Sequence, residues 1–94
     1  MPYDAELNER LGVWAVTQWR TLPEQTKTAL LPCLRAADEG FSAVQREWLR
    51  FVSSRVPPIR VWEAAALCDM LRYLVRHVTP EMRAELIVEV QEAA

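Results

Sequence analysis

The fold that this 94-residue sequence predicts is an all-α, compact bundle of four to five helices. Three observations predict it. Only two glycines are present, and no Asn-Gly or Asp-Gly pair offers a hairpin turn. Ala, Leu, Glu and Arg, all strong helix formers, dominate the composition. Between Val56 and Val78 the apolar residues recur at helical spacing, and Ile59, Val61, Leu67, Met70, Leu71, Leu74 and Val75 sweep more than half the circumference. Charge there is confined mainly to one seam, Asp69, Arg72 and Arg76. A helix this apolar is expected at the centre, packed on several sides, over about residues 58–78. The length admits one core, so residues 1–94 form a single helical domain.

Taken in order, the first helix is expected after Asp4, a good N-cap, and runs to about Arg20. Leu7, Leu11, Trp14, Ala15 and Trp19 form its apolar side. Thr21-Leu-Pro-Glu24 fits a capping box. Because proline removes a backbone hydrogen bond and clashes with the preceding turn, the second helix is expected in two pieces. A short turn near 23–27 comes first, then a fresh start around Thr28 that puts Pro32 near a first turn. Gly40 is a natural stop. Ser42-Ala-Val-Gln45 is a second capping-box candidate, opening a helix whose inner side is Val44, Trp48, Phe51 and Val52. That helix must end near Arg55, since Pro57-Pro58 disfavours helical geometry just before it. Pro58 then suits the first turn of the central helix. Thr79-Pro80 starts a fifth helix with a narrow stripe of Met82, Leu86, Val90 and Ala93.

The formal net charge of −2 offers no general attraction to nucleic acid or anionic membrane. No run of apolar residues is long enough to span a bilayer, and Asp4, Glu6 and Glu9 stand where a signal peptide would be basic. Cys33 and Cys68 fall within helical apolar patterns, as buried free thiols do in a reducing compartment, so a cytoplasmic location is expected. His77, the single histidine, closes the central helix, where an imidazolium interacts well with the helix dipole. One histidine without HExxH or CxxC spacing argues against a metal site. Cys68 and His77 lie nine residues apart on one helix and cannot meet as nucleophile and base. Glu81, Glu85 and Glu89 form a carboxylate row on a polar face. Glycine-rich phosphate loops are missing. No catalytic residue, cofactor or metal is therefore assigned.

Charge is unevenly distributed. Residues 41–60 carry four arginines, Arg46, Arg50, Arg55 and Arg60, against Glu47, a net +3. Residues 79–94 carry four glutamates against Arg83, a net −3. Such segments are either solvated faces or complementary surfaces that orient a partner or a second copy of the chain, a homodimer included. Four tryptophans, at 14, 19, 48 and 62, lie on or beside apolar faces, and a small bundle seldom buries four. Trp62, at the margin of the central helix near Tyr73, is the first choice for an interface anchor. A helix–turn–helix regulator built on residues 42–78 is the alternative function.

Two motifs carry a resemblance. Ala29-Leu-Leu-Pro-Cys-Leu-Arg-Ala-Ala-Asp-Glu-Gly40 is followed by Val56-Pro-Pro-Ile-Arg-Val-Trp-Glu-Ala-Ala-Ala-Leu-Cys-Asp-Met70. Together they resemble the helical N-terminal domain of the thioredoxin-like 2Fe–2S subunit of NADH:quinone oxidoreductase, whose relatives serve NAD-linked hydrogenases and formate dehydrogenases. The similarity runs from about Thr28 to Leu71. The resemblance implies the fold and a docking partner, a flavin- and NADH-binding redox subunit. Neither Cys33 nor Cys68 stands at a cluster-ligand position, so no cluster is implied. The expected function is a non-catalytic accessory module, for assembly or stability of a redox complex, with Arg46, Arg50, Trp62, Arg72 and Arg76 as its interaction residues. Charge reversal at Arg46 and Arg50 is expected to weaken partner capture while leaving helicity intact.

Overall fold

In the computed structural model, which describes residues 4–94, five helices pack into a bundle with principal extents of 43 × 30 × 24 Å. They are α1 (Ala5–Thr21), α2 (Glu24–Ala36), α3 (Phe41–Ser53), α4 (Val61–Arg76) and α5 (Pro80–Ala93), with a 3₁₀ turn, Ala37–Glu39, after α2. Among the described residues no helix is long and apolar enough to cross a membrane. The core gathers Trp19 and Ala15 from α1, Leu30 and Leu34 from α2, Val44 and Phe51 from α3, Met70, Leu71 and Leu74 from α4, and Leu86 and Val90 from α5. α2 packs against both α3 and α5, and α1 lies along α4.

Two helices begin as their sequences predict. Asp4 accepts a hydrogen bond from the Leu7 amide (3.0 Å), and Thr79 accepts one from Met82 (3.1 Å) with Pro80 at the first helical position. Leu7, by contrast, is exposed rather than on the buried side of α1.

The other three starts differ from expectation. Thr21 closes α1, its hydroxyl donating to the Gln18 carbonyl (2.9 Å), and α2 has no side-chain cap. α2 is continuous through Pro32. Pro32 and Thr28 both lie on its exposed side, so the carbonyl that loses its donor faces water and the helix need not restart. α3 starts one residue before Ser42, from Gly40, whose φ of 105° and ψ of 171° suit glycine alone. α4 starts at Val61 rather than at Pro58, because the chain stays extended through Arg60 and thereby tucks Ile59 against the core.

α4 is the central helix, but its burial is uneven. Its second half supplies Met70, Leu71 and Leu74 to the core, whereas Val61, Trp62, Ala65 and Ala66 in its first two turns are exposed. α1 accounts for part of this. It runs antiparallel to α4, with Asn8 and Gly12 against His77 and Trp14 against Tyr73. These contacts cover the C-terminal end of α4.

Below that end lies an arrangement that hydrophobic periodicity does not reveal. Arg83, on α5, is buried and donates through Nη1 to the carbonyls of Leu74 (3.1 Å), Val75 (3.3 Å) and Val78 (2.6 Å). Its Nη2 donates to Oδ1 of Asp38 (2.9 Å). One guanidinium thus satisfies the carbonyls that end α4 and ties α5 to the turn after α2.

Candidate functional site

Among the described residues, the loop between α3 and α4 and the first turn of α4 form the least covered apolar part. Val56 is 93 % exposed, Val61 87 % and Trp62 65 %, and Pro57 and Pro58 between them are exposed as well. Three constraints place these residues outward. α3 ends at Ser53, the proline pair cannot continue a helix, and Ile59 is the one residue of the loop whose apolar side chain turns inward. Beneath the loop is an open pocket of about 340 Å³, between Thr26, Phe51, Arg55, Ile59 and Leu67. The Arg55 guanidinium lies over the Phe51 ring, 4.2 Å from its centroid, leaving positive charge at the pocket rim.

The five residues expected to form an interface are divided between two helices. Trp62 and Arg76 share the outer face of α4, separated by about 21 Å of helix. Arg72 sits at the seam with α3, its guanidinium 5.7 Å from the Phe41 ring and paired with Asp69 at 3.3 Å. Arg46 and Arg50 lie on the outer face of α3 beside Leu49, which is 63 % exposed. Arg50 also pairs with Glu47 along the same helix (2.9 Å). Trp62 does not stand with Tyr73, three turns further on. The aromatic partners of Tyr73 are Trp14 and His77, both edge-on, at 5.7 and 5.5 Å. Of the other tryptophans, Trp19 is buried in the core and Trp48 stacks on Phe51.

A second concavity, about 510 Å³, lies where α1 meets the α4–α5 turn. Val13, Val16, Val78 and Met82 line it, with His77 and Arg20 at its edges. His77 Nδ1 donates to Oδ1 of Asn8 (2.5 Å), so the imidazole bridges α4 to α1 through an amide rather than through a carboxylate. No cysteine or serine is among the residues lining this groove. Arg20 is engaged by Glu89 in a two-pronged pair, Nε to Oε1 at 3.0 Å and Nη2 to Oε2 at 2.7 Å. That pairing holds the Glu89 carboxyl below its ordinary pKa and raises that of Arg20.

The carboxylate row of α5 is therefore divided too, with Glu89 turned toward α1 and Glu81, Glu85 and Glu92 exposed. Among the described residues no three His, Cys, Asp or Glu side chains converge as a metal site would require. Cys33 and Cys68 are both free thiols, Cys33 in the core and Cys68 half-buried. Burial pushes the Cys33 thiol up to about 11, which keeps it protonated and unreactive near neutral pH.

Two features of the site escape sequence reasoning. One is Gly12, where a Cβ would run into the His77 carbonyl oxygen; an isolated glycine inside a strong helical pattern is the available signal. The other is the apolar centre of each of the two oppositely charged segments: their complementary charge is legible in the sequence, but that Leu49 on α3 and Val88 on α5 stand exposed among those charges is not. Comparison with protein-family models, with curated proteins and with solved structures finds no match to this chain.

Proposed function

We propose that the chain is a non-catalytic protein–protein interaction module, an accessory component that docks on an NADH-linked redox complex against its flavin- and NADH-binding subunit. The docking element is the ridge from Val56 to Trp62. Singly exposed apolar side chains are ordinary, but Val56, Pro57, Pro58, Val61 and Trp62 together on one small protrusion are a partner surface that water covers poorly. Tryptophan is among the commonest energetic anchors of interfaces, and Trp62 has most of its ring available. Arg60 beside it supplies positive charge at the anchor, and Arg76, further along the same outer face of α4, adds to the longer-range field that steers a partner. The redox context rests on the likeness of residues 28–71, which contain this ridge, to the helical domain of the 2Fe–2S subunit.

Affinity capture of the tagged chain from its native cells, with Trp62→Glu alongside, tests the proposal. The wild type is expected to retain a flavin- and NADH-binding subunit. The variant is expected to lose it, with unchanged circular dichroism. Loss of a tryptophan anchor costs about 2 kcal/mol or more, roughly thirtyfold in Kd. A wild-type capture without such a subunit, or equal capture by both chains, defeats the proposal. The helix–turn–helix alternative draws less support. The exposed side of α4 carries Trp62, Ala65 and Asp69 where a recognition helix would present base-reading side chains. Salt-sensitive retention on duplex DNA would favour it.

A further inference from the structure

We infer that the outer face of α3 is a docking surface for α5 of a second copy of this chain. The inference goes beyond the proposed redox docking, which rests on the Val56–Trp62 ridge, and it assigns Arg46 and Arg50, expected from the sequence to serve that docking, to a contact between copies. On α3 the exposed residues Ser42, Arg46, Leu49 and Ser53 follow one another at intervals of four, three and four, with Arg50 beside Leu49. On α5, Glu81, Glu85, Val88 and Glu92 repeat the same intervals. Both stripes face solvent, and each is centred on a single apolar residue, Leu49 at 63 % and Val88 at 45 % exposure. The charges are opposite. Arginines flank Leu49, and a carboxylate stands one turn from Val88 on either side. Whichever way the helices run, Leu49 against Val88 brings Arg46 to a glutamate of the other copy.

Neighbouring groups leave these charges available. Arg46, Glu81, Glu85 and Glu92 have no ion-pair partner among the described residues. Glu85 lies near Arg20, but both of that guanidinium's carboxylate bonds go to Glu89. Arg50 is held only by exposed Glu47–Arg50 pairing within one helix, which exchanges readily for an intermolecular partner. The contact joins two different surfaces, so it either closes reciprocally in a two-fold dimer or adds copies head to tail. One helix stripe against another buries less than the ~1,200 Å² of a stable interface, so the association is weak and concentration-dependent.

Sedimentation of the full chain over a wide concentration range tests this, with two charge-reversal variants. One is Arg46→Glu/Arg50→Glu, the other Glu85→Lys/Glu92→Lys, which reverses the carboxylate facing Arg46 in either helix direction. The wild type should gain mass with concentration and lose it as salt rises. Each variant alone should associate about tenfold more weakly or worse, since like charges then face each other. Their equimolar mixture should associate again, because each supplies the stripe that the other lacks; a variant that had merely failed to fold would not be rescued. Trp62→Glu should associate as the wild type does, which separates this contact from the redox docking. A wild type that stays monomeric at all concentrations, or variants that associate unmixed like the wild type, overturns the inference; the first result would leave the stripes to a different protein.

Discussion

Two single positions show how closely the helices approach. Gly12 is buried where α1 crosses the end of α4, and the space a side chain would need is occupied by the His77 carbonyl oxygen. In an exposed helix, replacing glycine with alanine gains about 1 kcal/mol. Here overpacking costs about 1–3 kcal/mol and also strains the Asn8–His77 hydrogen bond. Gly12→Ala is therefore expected to lower the urea midpoint; an unchanged or raised midpoint would show that α1 can yield there. Thiol chemistry supplies the second residue-level expectation. Cys33 is enclosed by the core and its thiolate is disfavoured, whereas Cys68 is half-buried on α4. At about pH 8 a disulfide reagent should titrate one thiol quickly and the second only at the rate of chain opening. Two equally fast thiols would contradict the burial of Cys33.

Among the elements, α4 depends most on groups outside itself. Its last carbonyls are bonded by Arg83 of α5, a buried guanidinium with donors to three backbone oxygens and to Asp38. Arg83→Met keeps much of the stem but leaves those carbonyls without donors in a dry environment, a loss of about 2–4 kcal/mol. Asp38→Asn removes only the charge of an exposed partner and should cost about 1 kcal/mol or less. Denaturant titration of both variants checks the asymmetry, and amide exchange should localise the Arg83→Met loss to the last turn of α4. Equal losses would mean that the ion pair, not the helix cap, is what Arg83 contributes. Hydrophobic periodicity cannot find this role. It marks Leu86 and Val90 on α5 correctly, yet treats Arg83 as one more surface charge because its partners come from another helix and from a turn. The same blindness explains α2, where Pro32 breaks the expected pattern although its position on the outer side lets the helix continue. Caps at Asp4 and Thr79 are readable because they are local, each completed within three residues.

At the scale of the whole molecule, the number of helices and most of the core are readable from spacing, whereas the exposed ridge is not. Periodicity assigns Val61 to the buried sweep of α4, but which half of a helix is covered depends on where its neighbours lie. Trp62 stands out from the number of tryptophans in a small chain, and its exposure is a tertiary fact. Tertiary too is the link between the first and last helices, the Arg20–Glu89 pair at the edge of the α1–α5 groove. Glu89 has its folded-state pKa depressed by the hydrogen bond from Arg20. A depressed carboxylate contributes stability that is fully present above its unfolded value and lost as pH falls through the folded one. Both side chains are substantially exposed, so solvent screening limits the effect to about 0.5–1 kcal/mol. Glu89→Gln should accordingly be less stable than the wild type at neutral pH, and the difference should vanish on acidification below the ordinary carboxylate range. Arg20→Gln should behave alike, and the double variant should lose no more than either single one. Thermal melts of the four chains at neutral and acid pH decide the matter. A gap between wild type and Glu89→Gln that persists in acid would mean that Glu89 acts through packing rather than through its charge.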